Sequence, residues 1–176
     1  MAKDRNIYLI GPMGSGKTAV GRELARLTGR RFVDIDLALE RRSSASIEAI
    51  FRRRGEKVFR RLELAEVRRV ASKPSLVVAL GGGAPAQTEV RRLIRSTGAT
   101  VRLTCEQRAL WKRLAGDKDK RPLLKAASRE RLAAIIRSRK ATYPKGDIRV
   151  STTRLGVRAV AMKIARKLKA RSGRSQ

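Results

Sequence analysis

Gly11-Pro12-Met13-Gly14-Ser15-Gly16-Lys17-Thr18 fits G-x-x-x-x-G-K-[ST] at every fixed position. Glycines at this spacing let successive backbone N–H groups turn toward one anionic centre, and the positive end of a helix beginning at the lysine adds to the attraction. The chemistry expected is capture of a nucleotide, with Gly14, Ser15, Gly16 and Lys17 around the phosphates, by a kinase of small metabolites, a nucleoside monophosphate kinase or a nucleic-acid-dependent ATPase. Lys17 would reach the β- and γ-phosphates and the Thr18 hydroxyl would hold Mg²⁺. The plain alternative is a glycine-rich turn that happens to precede Lys-Thr. A predicted strand before it and a predicted helix after it weigh against that.

Two acids, Asp34 and Asp36, lie at the end of the next apolar run. They are expected at the carboxyl end of the second strand, where open α/β sheets bind ligands, and because positions i and i+2 of a strand share a face both carboxylates can project toward the same crevice. One carboxylate could sit near Mg²⁺ and help take a proton from a hydroxyl nucleophile, and the other could orient that hydroxyl. The competing reading makes Asp36 a cap for the following helix. A third feature is Gly81-Gly82-Gly83, which closes an apolar run and lets backbone approach a ligand with no Cβ in the way.

The elements that position these residues alternate between short apolar runs and longer amphipathic stretches. This pattern predicts an α/β fold, three layers α/β/α around a parallel sheet of about five strands. Strands are expected at 7–10, 31–35, 76–80, 100–103 and 148–150. Helices are expected from Lys17 to Gly29, from an N-cap at Ser46 through Phe51, and then through Val70 after a break at Gly55. Further helices follow around 90–94, 107–114 and 129–142, and over 157–168. The run 116–120, Gly-Asp-Lys-Asp-Lys, has no apolar residue and reads as a surface loop. The organisation expected is one domain over 1–170, with a substrate-binding segment at 36–63, a lid at 115–127 and a loose tail at 171–176.

Composition removes several chemistries. The 176 residues include no histidine, so a Ser-His-Asp triad, an imidazole base and a His-ligated metal are all excluded. One cysteine, Cys105, cannot form a disulfide within the chain, and no apolar run approaches the roughly 18 residues of a membrane span. A cytoplasmic protein without membrane attachment is expected. Lys+Arg 44 against Asp+Glu 15 gives +29, which suits anionic substrates and nucleic acid alike. With aromatics at 3%, however, the basic stretches lack the stacking residues of single-strand binders, so no specific nucleic-acid partner is expected.

The chain resembles shikimate kinase. The segments that carry the resemblance are the phosphate loop, Phe32-Val33-Asp34-Ile35-Asp36 with Glu40, Ser46 to Phe51 running on to Gly55-Glu56, and Phe59-Arg60-Arg61-Leu62-Glu63. Gly81-Gly82-Gly83-Ala84, Arg121-Pro122-Leu123-Leu124 and Arg139 four residues before Tyr143 complete them. The resemblance implies a P-loop kinase fold with lid and substrate-binding insertions. It also implies transfer of the ATP γ-phosphoryl group to the 3-hydroxyl of shikimate.

By the same match, Arg60 and Arg139 correspond to arginines that bind the substrate carboxylate, a task suited to planar guanidinium forks. Asp36 corresponds to the acid on the ring hydroxyls, Asp34 to the acid beside the metal, and Gly81, Gly82 and Gly83 to backbone that approaches the substrate. Arg121 corresponds to the lid arginine that closes on the phosphates. Glu63, one turn from Arg60, could orient it. The position of the family's adenine-stacking arginine is Leu114 here, so Arg113 is assigned that role with a lid one residue longer. A monomer is expected. The alternatives are another P-loop metabolite kinase, such as one for gluconate, and a basic nucleic-acid-binding P-loop protein.

Overall fold

A computed structural model describes residues 5–115, 134, 143–144 and 146–172. Five strands, β1 (Asn6–Ile10), β2 (Arg31–Asp34), β3 (Leu76–Ala79), β4 (Gly98–Thr104) and β5 (Ile148–Ser151), form one sheet in the order β2-β3-β1-β4-β5. Every pairing is parallel. Helices α1 (Lys17–Thr28), α2 (Ile35–Ser43), α3 (Ile47–Ala71), α4 (Thr88–Thr97), α5 (Gln107–Ala115) and α6 (Val157–Ser172) accompany it, with a short 3₁₀ turn at Ala84–Ala86.

The period of two in β1 divides the core. Ile7 and Leu9 join Val20, Leu24, Val101, Val160 and Ile164 on the face covered by α1 and α6. Tyr8 and Ile10 join Val67, Val70, Val90 and Ile94 on the face covered by α3 and α4. Both faces are buried, which explains why β3, and β1 after Asn6, are continuous runs of apolar and aromatic residues rather than alternating ones. Because β1 lies between β3 and β4, its carboxyl end opens where crossovers depart to both sides, the place where a parallel sheet leaves a crevice. The phosphate loop follows directly.

All five expected strands are present. The second is shorter than expected: it stops at Asp34, and Ile35 already belongs to α2, a helix absent from the sequence expectation. The expected break at Gly55 is seen as a kink inside α3, where Gly55 adopts φ 73° and ψ 173°. Helix α6 runs through Ser172, and Arg171, expected in the tail, donates from Nη1 to the Asp147 carbonyl at 2.9 Å. Of the expected helix at 129–142 only residue 134, which is helical, is described, and the rest of it and most of the expected lid lie outside the described residues. Among the described residues no helix is long and apolar enough to cross a membrane.

Candidate active site

The phosphate loop is shaped by backbone rather than by side chains. Gly16 caps α1 in the left-handed region, φ 87° and ψ 18°, and no side chain caps the helix, so no side-chain oxygen competes for the first-turn N–H groups. Lys17 Nζ donates to the Gly11 and Pro12 carbonyls at 2.8 and 3.0 Å, folding the ammonium back over the loop. At the start of the loop, a Cβ on Gly11 would lie 2.5 Å from the Leu103 carbonyl oxygen of β4, so only glycine fits there. Ser15 Oγ is buried with no hydrogen-bond partner.

Asp34 ends β2 and does two tasks. Its Oδ1 accepts from the backbone N–H groups of Asp36 and Leu37 at 3.1 and 3.5 Å, capping α2, while Oδ2 accepts from Thr18 Oγ1 at 2.7 Å. The reading that placed Asp34 and Asp36 on one face of a strand is therefore corrected, and the cap is Asp34, not Asp36. Asp36 instead projects from the first turn of α2. The Thr18 hydroxyl and Asp34 carboxylate are adjacent hard oxygen donors, a fit for Mg²⁺, which takes one or two carboxylates together with substrate phosphates rather than a full protein cage.

Asp36 is unusual among the acids of the site. Burial, followed by the nearby Asp34, Glu63 and Glu40 carboxylates, pushes it up to about 6 against the pull of Lys17. Gly81 is wedged beside it: a Cβ there would lie 2.6 Å from Asp36 Oδ1 and 2.7 Å from Glu63 Oε1. Gly83 makes room for Arg60 in the same way, since a Cβ would meet its Nη2 at 2.5 Å.

Arg60 is held as a preset fork. Its Nη1 donates to Glu63 Oε2 at 2.8 Å and its Nη2 to Glu56 Oε1 at 3.0 Å. Glu63 is only 1% exposed and also accepts from Gln87 Nε2 at 2.8 Å. From the far end of the chain, Tyr143 donates its hydroxyl to the Gly82 carbonyl at 2.6 Å. The sequence suggested Glu63 as the orienter of Arg60. Gln87 went unnoticed as a partner, and Tyr143 was noted only for its spacing from Arg139.

A cavity of about 620 Å³ joins the phosphate loop to the acid pair, lined by Lys17, Thr18, Asp34, Asp36, Gly82 and Arg113 among others; Arg60 is not among its lining residues. Arg113 does not stand free over it: Nη1 donates to Thr152 Oγ1 at 3.1 Å and Nη2 to the Thr152 carbonyl. It thus ties α5 to the segment between β5 and α6, at the edge of the cavity. Leu114 packs with Met13 and Trp111 beside the phosphate loop. Arg121 and Arg139 lie outside the described residues.

The site's likeness to known proteins follows the same lines. The sequence model of the shikimate kinase family matches residues 13–169. A shikimate kinase of Persephonella marina is 43% identical over 148 residues, covering 84% of this chain and 89% of that protein. One from Geobacter sulfurreducens is 41% identical over 162 residues, covering 92% and 89%. The solved structure of shikimate kinase from Acinetobacter baumannii in complex with shikimate superposes with a TM-score of 0.87 at 36% identity, covering 95% of this chain and 94% of that one. On the phosphate loop, the acid pair and the family match over nearly its whole length, the chain belongs to the shikimate kinase family.

Proposed function

We propose that this protein transfers the γ-phosphoryl group of ATP to the 3-hydroxyl of shikimate, releasing ADP and shikimate 3-phosphate, as a cytoplasmic step toward chorismate and the aromatic amino acids. The observation that carries this reading is Asp36: a carboxylate raised to about 6, flanked by Lys17 on one side and by the Glu63–Arg60 pair on the other. A base of that affinity is mostly ionised at neutral pH yet accepts a proton more readily than an ordinary aspartate.

The roles follow from position. Gly14, Ser15, Gly16 and Lys17 cradle the phosphates through N–H groups and the ammonium, which swings from the Gly11 and Pro12 carbonyls to the β- and γ-oxygens. Thr18 and Asp34 would hold Mg²⁺, which would supply charge neutralisation on the phosphate oxygens. Asp36 accepts a hydrogen bond from the substrate hydroxyl and receives its proton as the new P–O bond forms. Arg60, preset by Glu56 and Glu63, binds the substrate carboxylate together with Arg139. Gly81, Gly82 and Gly83 let the ring approach the backbone.

Arg121 closes on the phosphates, and its arrival excludes water that would otherwise divert the phosphoryl group to hydrolysis. Arg113 borders the adenine end. Its bonds to Thr152 make it a brace between α5 and the β5–α6 segment, so any stacking on adenine involves the outer face of a guanidinium already anchored at its edge. The protein works as a monomer in this reading.

A coupled ADP-release assay with shikimate, gluconate, CMP or no acceptor tests it. Release that depends on shikimate and on Mg²⁺ is expected. Equal release with gluconate, or none above the acceptor-free rate with shikimate, overturns the assignment.

A further inference from the structure

A second cavity, about 560 Å³, opens between α2 and α3, and neither Asp36 nor Arg60 lines it. Its apolar wall is built from Leu39, Ile50 and Leu62, with alanines between them. Its rim is cationic: Arg42, Arg53, Arg54 and Arg69 all line it. One acid, Glu66, lies at its inner end, 3% exposed, and is already engaged by Arg69 from Nε at 3.0 Å and approached by Arg42 at 4.0 Å. No hydrogen bond or ion pair engages Arg53 or Arg54 among the described residues, so two guanidinium charges border the cavity without a counter-charge. The Ser43 and Ser44 side chains border it too.

A concave volume of this size, open to solvent on its arginine side, apolar on its inner wall and bordered by two cations that no acid engages among the described residues, has the properties of a small-molecule site. We infer that the cavity between α2 and α3 binds a small organic dianion, its compact apolar body on Leu39, Ile50 and Leu62 and its charges on Arg53 and Arg54. Guanidinium forks there favour phosphate or carboxylate oxygens, and the attraction falls as salt rises.

The same cavity has a lever on the active site. Leu39, Ile50 and Phe59 form a small apolar cluster separate from both cores that flank the sheet, so α2 and α3 are joined to each other by a modest core of their own. An occupant that bridges the two helices fixes the placement of Asp36 on α2 relative to Arg60 and Glu63 on α3, and thereby lowers the KM for shikimate. That consequence rests on the proposed reaction; the binding itself does not.

Phenyl phosphate is the probe, titrated calorimetrically into enzyme saturated with ADP, Mg²⁺ and shikimate so that the active site is filled. Inorganic phosphate and phenol serve as its two halves. The expected result is one equivalent of phenyl phosphate bound at least tenfold more tightly than inorganic phosphate, with no phenol binding. Trp111, packed with Met13 and Leu114 beside the phosphate loop, should keep its fluorescence unchanged. The double variant Arg53→Glu/Arg54→Glu should lose at least tenfold in affinity. Ala65→Leu, which takes up volume and keeps every charge, should also weaken binding.

Inorganic phosphate binding as tightly as phenyl phosphate, wild-type affinity in both variants, or a Trp111 response overturns the site. Kinetically, phenyl phosphate should lower the shikimate KM about threefold in the wild type and leave the arginine variant, whose own kinetics match the wild type, unaffected. Binding without a KM change upholds the site and overturns its coupling. If shikimate proves not to be a substrate, the titration with ADP and Mg²⁺ alone still decides whether the dianion site exists.

Discussion

The phosphate loop and the substrate cradle lie side by side but are built on different principles. The loop is eight consecutive residues whose proposed function resides in backbone N–H groups, so the torsions of its glycines and one lysine define it. The cradle gathers Asp36, Arg60 and Glu63 from two helices, Gly81 and Gly83 from the end of β3, and Gln87 and Tyr143 from elsewhere. Its working properties come from how side chains bury and charge one another. A backbone site tolerates any neighbour that keeps the turn; a charge network depends on every member, including those that never touch a ligand.

Substitutions can separate the two modes. The largest effect is expected for Lys17→Ala, which removes the loop's only mobile charge: kcat should fall by about 10³, roughly 4 kcal/mol of transition-state stabilisation, with urea stability little changed. A fall below tenfold would mean that the backbone alone does the loop's chemistry. Next is Gly81→Ala in the cradle. A Cβ 2.6 Å from Asp36 and 2.7 Å from Glu63 forces both carboxylates to move, so kcat/KM for shikimate should drop roughly tenfold to a hundredfold. The KM for ATP should stay within about twofold if the cradle and the loop are as independent as their construction suggests.

A third test exploits the charge coupling. With Asp36 at about 6, kcat/KM should lose activity as pH falls through that value, because the protonated acid cannot accept the hydroxyl proton. Glu63→Gln removes one of the carboxylates that raise it, so the acid limb should move to lower pH while the arginine fork loosens and the shikimate KM rises. An unmoved limb would remove Asp36 from the base role. Stability carries the same signature with a definite sign. Asp36 is raised above its unfolded value near 4, so its contribution favours the fold at low pH and is lost as pH rises through about 6. In urea melts between pH 5 and 7, Asp36→Asn should flatten that dependence.

The smallest effect belongs to Tyr143→Phe, which deletes one hydrogen bond to the Gly82 carbonyl. A loss of about 1 kcal/mol in urea melts is expected, with kcat/KM within about threefold of wild type. A larger kinetic loss would place Gly82 among the residues that set the substrate's position rather than among those that only shape the cradle wall.

How much of this could be read from sequence follows the same division. The strand–loop–helix unit around Lys17, the five strands and the Gly55 kink all follow from local pattern, because each is specified by residues within one turn or one run. The acid pair shows where local pattern stops. Asp34 and Asp36 invited a strand reading by their spacing, yet Asp34 is itself a strong N-cap, and its carboxylate on two N–H groups starts α2 one residue later. The Asp–x–x–Leu start of that helix was available as a signal and was outweighed by the apolar run before it. Gln87 offered no such signal: it reaches Glu63 across 24 positions, and nothing in Ala86-Gln87-Thr88 distinguishes a buried-carboxylate partner from a solvated loop amide. The raised acidity constant of Asp36 is less legible still, since it arises from burial first and then from carboxylates on other segments.

The contact between Gly11 and the Leu103 carbonyl bears on synthesis of the chain. The loop's eight residues leave the ribosome early, but the strand before it is flanked by β3 and by β4, some 70 and 90 positions downstream. Until Leu103 has emerged and paired, Gly11 has no wall to turn against, and the anion cradle has no fixed shape. The proposed nucleotide affinity is therefore expected only late in synthesis, once β4 has paired beside β1. A nascent polypeptide stalled before position 104 would carry the whole motif and still not hold ATP.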